Sequence, residues 1–263
     1  MQERTDTNIS HHTEESWGKL KLGLEMLVKA SVHGIEMTGR EHLDRLDYQR
    51  RIILVPSHID DLSVPIAALL WMREGRNVAI AHISGQRDPR QDLLTWFGLL
   101  VAGSENFLPI DVNKHNGQWK AEPFNPQNFQ AMRAAFEERK AIIMAGHSPS
   151  DHQLPDRGGI GALYLAHIAN AQILPVSIRL DQRVGKAGVL EGIKTVITKP
   201  VAYATYGEPI TNLQPLEGLD SSQRVTRKHM RQLLEESNQL MRVYAQALPP
   251  EQQGKWQDPS YRT

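Results

Sequence analysis

Cysteine is missing from all 263 residues, which removes disulfides, thiol nucleophiles and thiolate metal sites and fits a reducing compartment. Excess charge is missing too. Thirty basic residues balance thirty acidic ones for a formal net charge of zero, so there is no overall basic field to attract nucleic acid, and no nucleic-acid partner is expected. Long apolar runs are also lacking. The best, Val64 to Met72, falls far short of the roughly 20 residues that cross a bilayer. Met1 to Glu15 is polar, without an apolar leader segment or a small-residue cleavage site. The expectation is a cytoplasmic protein, soluble or peripheral on the inner face of the membrane. No internal repeat and no linker divides the chain, so residues 1–14 read as a flexible N-terminus and 15–263 as one domain.

What is present is an alternation of apolar strands and amphipathic helices. Leu20, Leu24, Leu27 and Val28 recur at helical spacing with lysines between them, a helix that either packs only on its own domain or also rests on a bilayer surface. A short alternating strand follows over Val32 to Gly39. Arg50 to Pro56 is a nearly unbroken apolar run, as expected for a strand covered on both faces. Ser63 as N-cap and Pro65 in the first turn open a helix reaching Glu74. Further strands are expected at 77–82, 107–112, 141–144 and 173–180, with one or two more within 195–207. Further helices are expected at 89–97, 126–139, 158–170 and 221–246. The pattern predicts an α/β fold with a central, mostly parallel sheet flanked by helices.

Within that frame the segment Ile52 to Leu62 carries the most chemistry. His58 follows the strand directly, and open α/β sheets place their chemistry in loops at the carboxyl ends of parallel strands. Asp60 shares a face with His58 if the chain stays extended, whereas Asp61 approaches if it turns. Either carboxylate could fix the imidazole tautomer, leaving the other ring nitrogen to take a proton. Two other readings stand beside this one. One aspartate could simply cap the helix that follows, or the His-x-Asp pair could serve a metal, although no second cluster has ligand spacing and no metal is expected.

Gly146-His-Ser-Pro-Ser150 follows another buried strand and resembles the nucleophile elbow of α/β-hydrolases. Ser148 would be the nucleophile. The elbow needs a tight strand-to-helix turn, yet Pro149, Asp151, Gln153 and Pro155 read as a loop. After His152, only His167 and His229 could complete a triad. The other reading is a polar loop in which His147 and Ser148 line the same pocket as His58 and bind an acceptor.

Taken in order, the segments resemble the glycerolipid acyltransferase family, whose members acylate glycerol-3-phosphate and lysophosphatidic acid. Gly34-Ile-Glu-Met-Thr-Gly-Arg-Glu-His-Leu43 resembles the strand and turn before the family's first motif, and Arg51 to Asp61 the motif itself. Phe107-Leu-Pro-Ile-Asp-Val-Asn-Lys114 and Ala141-Ile-Ile-Met-Ala-Gly-His-Ser148 stand where the second and third fall. Leu154-Pro-Asp-Arg-Gly-Gly159, Ile173-Leu-Pro-Val-Ser-Ile178 and Tyr206-Gly-Glu-Pro-Ile210 are similar to later segments. The departures are specific. In the family four residues separate the histidine from the aspartate, and the same count from His58 reaches Ser63, so Asp60 or Asp61 must substitute. The second motif's arginine is replaced by Lys114 and His115. The third, Phe-Pro-Glu-Gly-Thr-Arg in the family, reads Met144-Ala-Gly-His-Ser-Pro149, which leaves Arg157 as the best anion contact. The resemblance implies direct acyl transfer from an acyl-CoA or acyl carrier protein thioester to a hydroxyl or amine. His58 would be the base, with Lys114, His147, Ser148 and Arg157 on the substrates and no cofactor. It equally implies an alternative, a family member that has lost catalysis and binds lipid or acyl groups.

Overall fold

The computed structural model describes residues 4–60, 62–84, 106–115, 118–121, 126–138, 140–147, 150, 153–182, 199–213, 216 and 225–258, with side chains excepted at 4–17, 82–84, 107 and 109–128. Along the chain run α1 (Arg4–Ser31), β1 (Gly34–Thr38), β2 (Ile52–Pro56), α2 (Ser63–Arg73), β3 (Val78–Ser84), β4 (Phe107–His115) and β5 (Gln118–Ala121). Then come α3 (Pro126–Glu137), β6 (Ala141–Ile143), α4 (Gly161–Ala169), β7 (Gln172–Leu180), β8 (Val201–Tyr206) and α5 (Arg227–Ala247).

The eight strands form one sheet in the order β1-β8-β7-β2-β6-β3-β4-β5. The five central strands, β7 to β4 in that order, are parallel. Antiparallel partners close the block: β5 against β4, and β8 against β7, with β1 parallel to β8. The expectation of a mostly parallel α/β sheet holds, and the reason is visible in β2. Ile52 and Leu54 point into one core with Leu20, Leu24 and Val28 of α1 and Leu69 of α2, while Ile53 and Val55 enter the other with α3, α4 and α5. A strand buried on both faces has no polar side to alternate.

Some boundaries differ from the sequence reading for physical reasons. The first helix already runs from Arg4, through most of the segment 1–14 that the sequence reads as a flexible N-terminus. Ser63 is the first residue of α2 and not its N-cap. Leu62 stands there with its side chain buried, because Asp60 C=O accepts the Ser63 N–H at 3.0 Å and Leu62 C=O accepts that of Ile66 at 3.0 Å. The start of α5 is set by Thr226, whose hydroxyl accepts the His229 N–H at 3.2 Å while His229 Nδ1 accepts the Thr226 N–H at 3.4 Å, so the helix opens six residues later than the expected Ser221. The β4–β5 hairpin was not foreseen. Its signal is the Asn116-Gly117 dipeptide between the paired ends His115 and Gln118, the strongest short-range hairpin mark. The helix expected at 89–97 lies outside the described residues. Among the described residues, no helix is long and apolar enough to cross a membrane.

Gly39, which leads from β1 into a 3-10 turn over Arg40–Arg45, has φ +74°, and a Cβ there would press on the main-chain carbonyl of Tyr206. Alanine would carry both the left-handed backbone penalty and a clash with β8. Gly39→Ala is expected to cost at least about 1–2 kcal/mol, read as a lowered urea midpoint at unchanged slope.

Candidate functional site

The crossover connections locate the site. From β2 the chain goes through α2 to β3, and from β6 through α4 to β7. Since α2 and α4 cover opposite faces, the loops leaving the neighbouring carboxyl ends of β2 and β6 part to opposite sides of the sheet. Such a parting is where α/β sheets form their binding crevice. His58 sits in one of these loops and His147 in the other.

The loop after β2 is anchored through its main chain. Ser57 is fully buried and extends the pairing with β7: its N–H donates to Val176 C=O at 2.9 Å, and its hydroxyl accepts the Ile178 N–H at 2.9 Å and donates to Ile178 C=O at 3.3 Å. The His58 N–H donates to His147 Nε2 at 3.0 Å. The His58 C=O accepts the Ser150 N–H at 3.1 Å. None of these bonds uses the His58 imidazole, which is partly exposed. An imidazole whose backbone is held in this way is one that could be preorganised for proton transfer.

Asp60 is 8% exposed and His147 3% exposed. A carboxylate removed from water needs compensating partners, and the first turn of α2, whose helix dipole favours negative charge, follows Asp60 directly. Of the residues expected to act, His58, Asp60 and His147 are brought to the β2/β6 crevice. Asp61 and Ser148 lie outside the described residues. Arg157 is exposed in the loop before α4, two residues from Gly159, whose N–H donates to Gly146 C=O at 2.6 Å. Lys114 lies on β4 opposite Trp119, three strands from β2, or about 14 Å at the usual strand spacing. Among the described residues no group of three His, Cys, Asp or Glu side chains could hold a metal ion.

The two histidines considered for a serine triad serve other ends of the fold. His167 Nε2 meets Glu236 Oε2 at 2.7 Å, tying α4 to α5. It lies in the last turn of α4, beside the amino end of β2, where Arg51 donates to Ala169 C=O at 3.0 Å. His229 is held in the α5 cap.

Tyr244 belongs to the site although nothing in the motifs pointed to it. It is fully buried in the stripe of α5 that includes Leu233, Leu240 and Met241. Its hydroxyl donates to Val55 C=O at 2.6 Å. Its ring stands edge-on to His147, centroids 6.2 Å apart, and a Cβ on Gly146 would come within 2.5 Å of its oxygen. Burial pushes the phenol well above its ordinary pKa, so it remains a donor across the working pH range. The detectable signal was an aromatic with a polar tip inside an apolar helical stripe, which obliges a buried partner. Compared with protein-family models and with curated protein sequences, the chain matches none significantly.

Proposed function

We propose that this protein transfers an acyl group from an acyl-CoA or acyl carrier protein thioester to a hydroxyl or amine, such as that of a glycerolipid precursor, with His58 as general base. The observation that carries the reading is the placement of His58: a partly exposed imidazole at the carboxyl end of β2, on a backbone fixed from both sides, with the buried Asp60 two residues away. His58 takes the proton from the acceptor as its oxygen or nitrogen attacks the thioester carbonyl. The tetrahedral centre then collapses, the carbon–sulfur bond breaks, and the thiolate leaves with the proton returned from His58. Asp60 orients the imidazole and stabilises its charged form. No acyl-enzyme forms on this route.

The fold is read as that of a glycerolipid acyltransferase, and Arg157, exposed beside the crevice, as the contact for an anionic part of a substrate. The same reading places the chain in the cytoplasm, at or near the inner face of a membrane. Leu22 and Met26 are exposed on α1, 58% and 54%, with Lys19 and Lys29 near them, which supports peripheral contact with anionic lipid.

The test is one incubation with an acyl thioester labelled in the acyl chain and a panel of glycerol, glycerol phosphate, lysolipid and amine acceptors. Label is expected on an acceptor, with free thiol released in equal amount and none retained on protein. Tight thioester binding without transfer to any acceptor would establish the binding protein instead. Label trapped on Ser148 and absent from a Ser148→Ala variant would establish a covalent hydrolase.

A further inference from the structure

We infer that His147 is a positioning residue for His58, an inference that rests on the acyl-transfer reading. The argument begins with the β2/β6 ladder. Its parallel register pairs Leu54 with Ile143, and beyond the strand ends the ladder continues as Met144 N–H to Leu54 C=O and Gly146 N–H to Pro56 C=O, each at 3.0 Å. The next rung of a regular parallel pair would run from the His58 N–H to the Gly146 carbonyl. That carbonyl is taken by the Gly159 N–H at 2.6 Å. The His58 N–H turns instead to His147 Nε2, so a side chain replaces the backbone rung at the residue that carries the base.

This substitution dictates the protonation of His147. A ring nitrogen that accepts an N–H bond must hold its lone pair, so the proton of the neutral ring is on Nδ1. The ring is kept in place by burial and by the edge-on Tyr244. Gly146 lets it come close, because any side chain there would meet Tyr244. His147 thus acts on the main chain of the base rather than on the acceptor. A ladder carbonyl would tie His58 to the sheet as an ordinary strand residue, whereas a side-chain acceptor lets the chain leave the sheet at His58 and still satisfies its amide.

Two variants separate this role from mere packing. His147→Leu keeps apolar volume and removes the acceptor. His147→Gln supplies an amide oxygen near the Nε2 position. The readout that needs no activity is hydrogen exchange of the His58 amide. It is expected to be protected in the wild type and in His147→Gln, and to exchange about tenfold faster or more in His147→Leu, as for a lost hydrogen bond. In acyl transfer, His147→Leu is expected to lower kcat about tenfold or more with KM for both substrates within about twofold, and His147→Gln to restore most of kcat. Unchanged His58 exchange in a folded His147→Leu overturns the contact. A raised KM at constant kcat makes His147 an acceptor-binding residue and overturns the positioning role. If the wild type transfers no acyl group, the acyl-transfer reading has failed. Protected exchange would then leave His147 as a structural anchor only, so the two failures are distinguishable.

Discussion

His58→Ala is expected to reduce acyl transfer by about 10²- to 10⁴-fold, the contribution of a positioned general base, while leaving the fold unchanged. The second half of that statement comes from the bonding pattern. Two bonds that anchor residue 58, to His147 Nε2 and from the Ser150 N–H, are made by its main-chain N–H and C=O, which alanine keeps, and the residue is only partly buried. Labelled-thioester kinetics and a thermal melt, run on the same preparation, check both parts. Full activity in the variant ends the reading of His58 as base. Asp60→Asn and Asp61→Asn extend the test. Asp60 is buried and its carbonyl opens the turn into α2, so its amide variant is expected to lose more rate than that of Asp61, though less than His58→Ala. The reverse order would assign the orienting carboxylate to Asp61.

The largest stability effect is expected at Tyr244. Tyr244→Ala removes a fully buried ring that touches Val55, Gly146 and His147 at once. Loss of a large buried aromatic costs about 3–5 kcal/mol, about a fifth or more of the 5–15 kcal/mol or so that a domain possesses. Tyr244→Phe keeps the ring and removes one hydrogen bond to the Val55 carbonyl, which stays paired in the β2/β7 ladder, at about 0.5–1.5 kcal/mol. The pH dependence follows from the raised phenol pKa. The folded value lies well above 10.0, so on alkaline titration the unfolded chain releases this proton first, and the stabilisation is complete below about pH 10 and lost as pH rises beyond it. Tyr206 acts in the same direction, its pKa raised by burial and then by Glu74. Urea midpoints from pH 7 to 11 should show Tyr244→Phe weaker than wild type at pH 7 with a shallower alkaline decline. Parallel declines in the two proteins would contradict the assignment.

Much of this fold was readable because its elements are buried in ways that leave a pattern. Ile52 to Pro56 is apolar at every position, which only a doubly covered strand requires, and α5 shows its buried stripe over five turns. His58 was readable for the same reason, as the first polar side chain that could titrate after an apolar strand. What stayed hidden depends on contacts between residues far apart in the chain. Gly146-His147 looks like part of a nucleophile elbow until β6 is laid beside β2, and only then does His147 reach a backbone amide 89 residues away. Tyr244 carried no motif, and its hydroxyl found its acceptor 189 residues earlier. The strand order could not be foreseen either. Local periodicity marks β6 as a strand without saying that it inserts between β2 and β3.

That insertion has a consequence for biosynthesis. At about 5–20 residues per second, the ribosome needs roughly 4 to 18 s to advance the 89 positions from His58 to His147. Throughout that interval the wholly apolar β2 has neither β6 nor β7 to pair with, and both of its edges are open. Nascent chains stalled between α2 and β6 should therefore be the species that engage a holding chaperone most strongly, and release should follow the emergence of β7.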